Sequence, residues 1–326
     1  MPYRLTRIAV FTLAGLSCLM TAPAIAQSYP ERPIRVIVPV GPGGGFDMLG
    51  RTVAPGLAER LGQPVVVENR PGAGSLVGTE AVAKAPHDGY TLLVGGVSNL
   101  AINAGLYKSL PYDPVADFRA LSVSISNSLC LAGRKDLPQS TFKELMDFAR
   151  ANPDKVNYGS AGVGTAQHLV GALLARAASA SLVHIPFKGA GPAQQELLGG
   201  RLDMLWNTCS ALKPAIDAGQ VKGLATSGRE RTPGLTALPT IIESGVARFE
   251  FDSWVGFFAG IRTPQPIVER LRREITAVIT TPEYVARMER DGGRVWRLTG
   301  PETDAFVRAE AERWKAQVTQ AGITAD

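Results

Sequence analysis

The chain has 326 residues, 45% of them hydrophobic and 19% charged, with a formal net charge of +5. Once Arg4 and Arg7 of the N-terminal segment are set aside, basic residues exceed acidic ones by only three, and they are scattered rather than striped. No recognition motif with interleaved aromatics accompanies them, so nucleic acid is excluded as a partner.

Arg4 and Arg7 followed by the short apolar run Ile8 to Met20 and the small residues Ala24-Ile25-Ala26 read as a signal peptide, residues 1–26, cleaved near Ala26-Gln27. A retained anchor needs a longer apolar run, and Gly15 stands where a lipoprotein signal at Cys18 would carry leucine. About 300 residues remain, enough for two lobes with their own cores. Short Val/Ile/Leu runs then alternate with helical patterns, the signature of α/β units with mainly parallel strands. Strands are expected at Ile34–Val38, Val65–Glu68, Thr91–Val94, Leu121–Ile125, Leu129–Ala132, Val183–Phe187, Met204–Trp206 and Leu224–Thr226. Helices are expected at about Asp47–Leu61, bent at Pro55, and at Leu76–Lys84, Thr141–Ala151, Thr165–Ala177 and Ala190–Leu198. Thr263-Pro264 and Thr281-Pro282 read as helix starts, Gly292-Gly293 as a stop, and Val307, Ala311, Trp314 and Val318 as the core-facing stripe of a final helix.

Extended stretches near Leu121–Ser126 and Phe249–Val255 suit two crossings between lobes. That divides the chain into lobe 1, residues 27–123 with 252–326 returning to it, and lobe 2, residues 124–251. Cys130 and Cys209 could pair in an oxidising compartment, but spacing alone does not show that their Cα atoms approach, and two buried free thiols are expected.

Two glycine-rich loops carry the functional signal. Pro39-Val40-Gly41-Pro42-Gly43-Gly44-Gly45-Phe46-Asp47 follows the first strand, and Gly159-Ser160-Ala161-Gly162-Val163-Gly164-Thr165 follows Val156-Asn157-Tyr158. Each opens a helix, where unpaired N–H groups and a partial positive charge hold anions. Neither loop continues as a P-loop, a dinucleotide fingerprint or a nucleophile elbow. His87, His168 and His184 have no metal-ligand spacing, and no nucleophile–base pair assembles, so the inventory is one for binding without cofactor, metal or catalysis. Candidate ligand-binding residues are Gly43, Gly44, Gly45, Phe46 and Asp47 on one side and Ser160, Gly162, Gly164 and Thr165 on the other. Ser98 and Asn99 lie after the strand Thr91–Val94. Asp47 reads as a helix cap that also shapes the site, and His168 as a structural histidine.

The stretches Pro64 to Gly74 (PVVVENRPGAG), Asp88-Gly89-Tyr90-Thr91-Leu92-Leu93, Leu110-Pro111-Tyr112-Asp113-Pro114, Tyr158 to Thr165 and Pro186-Phe187-Lys188-Gly189 resemble the extracytoplasmic solute receptors of tripartite tricarboxylate transporters, the Bug-type family. The resemblance covers the mature chain in order. It implies a periplasmic, two-lobed Venus-flytrap fold like the type II binding proteins, in a monomer that closes on a small organic carboxylate held by main-chain N–H groups and water. It also implies membrane permease partners, one large subunit and one small. Where the family's first loop has a small polar residue this chain has Phe46, and a common acidic position is Asn207. Family members take dicarboxylates, tricarboxylates, amino acids and aromatic acids.

Overall fold

The computed structural model describes residues 29–324 except 291 and 322, so the signal-peptide segment lies outside the described residues. In chain order the elements are β1 (Ile34–Val38), α1 (Gly45–Leu61), β2 (Val65–Asn69), α2 (Leu76–Ala83), β3 (Thr91–Gly96), α3 (Asn103–Leu106) and β4 (Phe118–Arg134). Next come α4 (Phe142–Ala151), β5 (Asn157–Ser160), α5 (Ala166–Ala177), β6 (Val183–Pro186), α6 (Ala190–Leu198), β7 (Met204–Thr208), α7 (Cys209–Asp217) and β8 (Val221–Thr226). The chain ends with β9 (Asp252–Gly260), α8 (Gln265–Ile279), α9 (Pro282–Arg290), β10 (Arg294–Leu298) and α10 (Pro301–Ala321).

Two halves share one pair of long strands. In the first half β2, β1 and β3 lie parallel. In the second, β6, β5 and β7 do the same. Every antiparallel pairing involves β4 or β9, the segments that pass between the halves. The parallel character therefore belongs to the β–helix–β units, and the crossing strands run against it. β4 pairs with β9 from Phe118↔Gly260 to Ser128↔Asp252, then continues between β7 and β8. The architecture is a two-lobed α/β fold whose halves are joined by crossing strands.

The sequence pattern splits β4 into two strands at Ser126-Asn127-Ser128, yet the structure makes one strand of 17 residues. Ser126 and Asn127 are buried and register against Trp254 and Ser253 of β9, so the polar run continues the ladder. Helix α1 runs through Pro55 without interruption. Helix α8 begins one residue later than its Thr-Pro signal suggests, with Pro264 as N-cap. At α9 the signal holds: Thr281 Oγ1 accepts the Tyr284 N–H. Val307, Ala311, Trp314 and Val318 are all buried on α10, and Val307, Trp314 and Val318 belong to the largest core cluster.

The expectation of two free thiols is overturned. Cys130 and Cys209 form a disulfide, with Cα atoms 4.8 Å apart. Spacing hid the approach because the two cysteines stand 79 positions apart. It is β7, pairing antiparallel with β4, that brings them together: Leu129 registers with Thr208, and a cysteine follows each. A bridge closing so long a loop stabilises by about 2–4 kcal/mol, a melting difference of roughly 5–10 °C for domains of this size. Mature protein denatured without reductant should show no titratable thiol, and Cys130→Ser or added reductant should lower its melting temperature by that amount. Two reactive thiols in the unreduced protein would contradict the bridge.

Candidate functional site

Four helices begin at one place. A narrow chamber with about 20 Å³ of free space lies between the halves, lined by Gly44, Gly45 and Phe46 of α1's start, Thr165, Ala166 and Gln167 of α5, Ala190 of α6 and Thr208 before α7. None of these helices is capped by its own N-cap side chain. Elsewhere α4 carries a complete capping box between Thr141 and Glu144, while α2 and α8 also lack a side-chain cap. First-turn amides with no partner in their own helix must find one elsewhere. Ser98, Leu129, Ser253 and Val255 complete most of the wall, and no lining residue is ionisable.

The halves supply some of the missing caps to each other. Ala166 N–H of α5 donates to Ser98 Oγ at 2.9 Å, and Gly191 N–H of α6 donates to the Pro42 carbonyl at 3.0 Å. Asn207 Nδ2 reaches the Gly43 carbonyl at 3.4 Å. A neutral amide can donate there, whereas a carboxylate would repel that oxygen. Main chain meets main chain beside these bonds. A Cβ on Gly41 would stand 2.1 Å from the Lys188 carbonyl oxygen, so only glycine lets the halves approach this closely. A second recess of about 600 Å³, lined by Gly72, Gly162, Phe187 and Lys188 among others, shares Val40, Gly41, Ala161 and Thr165 with the chamber.

The residues singled out from sequence separate into two layers. Gly44, Gly45, Phe46, Ser98 and Thr165 line the chamber, and Gly162 the second recess. Gly43, Asp47, Asn99, Ser160 and Gly164 line neither and stand behind the wall. Asp47 is buried and accepts from Arg51 Nε and Asn69 Nδ2, each at 2.9 Å, and from Gly43 N–H at 3.3 Å, so its carboxylate braces the first loop. Asn99 accepts the Gly96 N–H and donates to Thr79 Oγ1, both at 2.9 Å, which engages its amide inside the first half. Gly164, at φ +82°, holds a backbone shape that suits glycine, and a Cβ there would stand 2.8 Å from the Tyr107 hydroxyl. The Phe46 ring packs against Gly96 while its residue faces the chamber, so it is at once core and wall.

Ser160 is fully buried. Its Oγ donates to the Gly162 carbonyl and accepts the Gly162 N–H, both at 3.1 Å, with His184 Nε2 at 2.7 Å. His184 is stacked between Tyr158 and His168, with ring centroids 4.9 and 4.2 Å away. Burial, and then the neighbouring His168, push the His184 pKa down to about 4. Burial lowers that of His168, whose Nδ1 accepts the Gly164 N–H at 3.4 Å. The three rings thus form a neutral plate under the second glycine loop. Gln167, Ala190, Thr208 and Ser253 were not legible as site residues. Thr208 opens a helix through ordinary residues without a glycine signature, Ala190 stands between Gly189 and Gly191 in a stretch marked only by its family resemblance, and Ser253 reaches the chamber only because β9 crosses between the halves.

A closed cleft of this construction, between two α/β halves joined by crossing strands, defines the solute-binding proteins. Residues 49–323 match the family described as TctC, the tripartite tricarboxylate transporter family receptor, and the chain belongs to that family. Among curated relatives it is 34% identical to Protein BugT of Bordetella pertussis over 97% of both chains. Among solved structures it is similar to R. palustris Rpa4515 with adipate, at 32% identity and TM-score 0.86, covering 90% of this chain and 99% of that one. It is likewise similar to MatC from Rhodopseudomonas palustris with bound malate, at 31% identity and TM-score 0.83, covering 89% and 100%.

Two outcomes follow from the geometry. Gly41→Ala should fold and melt like the wild type without ligand, because its new methyl clashes only across the cleft. Ligand affinity should fall by about tenfold or more, or 1.4 kcal/mol, and calorimetry showing unchanged affinity would disprove the latch. The His184 pKa lies below its unfolded value near 6.5, so between those values the unfolded chain binds more protons. Stability is then full above about pH 6.5 and falls as the pH drops toward 4. His184→Gln should flatten that part of a melting-temperature profile, and a profile equally steep in both proteins would rule out the plate as its cause.

Proposed function

We propose that the protein is a periplasmic receptor, exported by a signal peptide cleaved near Ala26-Gln27, that closes on a small organic carboxylate and delivers it to a membrane permease of one large and one small subunit. The observation that carries this reading is the chamber where four helices without caps of their own begin and no charged side chain intrudes. Helix starts of this kind favour an anion. Neighbours with adipate and with malate bound support a carboxylate as that anion. The lobes we assign are residues 27–123 with 252–326, and residues 124–251. Both ends of the second fall at the crossing strands, within β4 and just before β9.

In this reading Gly44, Gly45, Thr165 and Ala166 face the carboxylate. Gly43, Asp47, Ser160 and Gly164 hold the loops in shape, and Phe46, Leu129 and Val255 set an apolar surface against the ligand body. No turnover is proposed. Ser160 lies near His184 but is fully buried behind the chamber wall, where no substrate carbonyl reaches it.

A thermal-shift screen tests the reading. Ligand at 100 times its dissociation constant adds about 2.7 kcal/mol of stability, so one narrow set of carboxylates should raise the melting temperature by several degrees. Stabilisation by amines, sugars or metal ions alone would refute the anion chamber. The Phe46 ring desolvates its side of the chamber and should favour an apolar or aromatic monocarboxylate over a tricarboxylate. Phe46→Thr should narrow that preference in direct competition, and an identical ranking in both proteins would show that the ring does not select.

A further inference from the structure

We propose that Ser98 couples ligand capture to closure: its hydroxyl caps helix α5 across the cleft and turns its own proton to the ligand. Ser98 follows β3 in the first half, in a wide helical turn over residues 98–102, and is almost completely buried at the chamber wall. Its Oγ accepts the Ala166 N–H from the second half at 2.9 Å. Helix α5 does not supply that cap itself, because the hydroxyl of its N-cap Thr165 donates back to the Gly162 carbonyl at 2.7 Å. Among the described residues the Ser98 hydroxyl donates to nothing, so its proton is free for whatever occupies the chamber.

The consequence is chemical as well as mechanical. A hydroxyl that accepts from the positive end of a helix becomes a stronger donor, since chained hydrogen bonds polarise one another. With one of its two lone pairs taken by Ala166 and its proton uncommitted, Ser98 presents a donor that suits an oxygen of a carboxylate. When the halves separate, the Ala166 bond is lost and both groups turn to water. A ligand that accepts from Ser98 in the closed form alone therefore strengthens closure, and closure strengthens the ligand's bond, as linkage requires. This rests on the carboxylate reading for the ligand, while the cap itself does not.

Ser253 provides the comparison. It lines the same chamber, and its hydroxyl makes no hydrogen bond among the described residues, so Ser253→Ala removes at most a ligand contact. Amide hydrogen exchange at Ala166 in ligand-free protein tests the cap. Ser98→Ala should accelerate it at least tenfold and Ser253→Ala should leave it unchanged. The Leu169 amide, which donates to the Thr165 carbonyl within α5, should be steady in all three proteins and reports fraying of the helix. Stopped-flow binding with adipate as probe tests the coupling. Ser98→Ala should leave the association rate within twofold of wild type and raise the dissociation rate about tenfold, well beyond the effect of Ser253→Ala. Unchanged exchange at Ala166 overturns the cap, and equal dissociation rates in the two variants overturn the coupling. If neither adipate nor any other carboxylate binds wild type, the ligand half of the proposal falls with the carboxylate reading, and the exchange comparison still decides the cap.

Discussion

A helix cannot satisfy its own first amides, and the organisation of this molecule follows from where four such deficits are placed. Helices α1, α5, α6 and α7 start at the cleft without a side-chain cap of their own. The sequence shows that caps were available: α4 has a full capping box. Leaving polar groups unpaired in a buried place costs free energy unless something occupies them. Here the opposite half occupies part of the deficit, through Ser98 and Pro42. The remainder is what the proposed anion would occupy. An arginine or lysine could bind an anion too, but its long side chain must be ordered each time. Amides fixed by the backbone need no such ordering.

The disulfide and the buried ring stack serve that arrangement from behind. Cys130 and Cys209 each follow a chamber-wall residue, so the bridge fixes the start of α7 against β4. Tyr158, His184 and His168 support the second glycine loop through Ser160 and Gly164, with no charge in the stack while both imidazoles are neutral. Asp47, with Arg51 and Asn69, does the same for the first loop through a carboxylate fully engaged in internal bonds. Rigid walls matter because every ligand contact made by a mobile loop is weakened by the ordering it requires.

Much of this was legible in the residues, for identifiable reasons. Glycine loops after apolar strands announce helix starts, so α1 and α5 were placed and their loops marked as anion-facing. The start of α7 carries no such sign, since Thr208-Cys209-Ser210 offers neither glycine nor an apolar period, and Thr208 went unnoticed. Asn99 and Asp47 were read as candidate contacts because polar residues near a helix start could point either way. Only the positions of Thr79, Gly96, Arg51 and Asn69 show that both point inward. The disulfide was hidden for a related reason: it depends on the pairing of β4 with β7, and strand pairing across 79 residues leaves no local trace.

The approach of Gly41 to the Lys188 carbonyl means that the halves meet, at that point, through atoms common to every residue. At that point no side chain holds the cleft shut, a task that falls to Ser98 and Asn207 elsewhere along the seam. Exchanges at Phe46, Val255, Gln167 or Ser253 alter what fits inside without altering how the lid seats. A scaffold built this way keeps part of its latch in the main chain, so chamber-wall residues other than Ser98 can vary while the seat at Gly41 keeps its geometry.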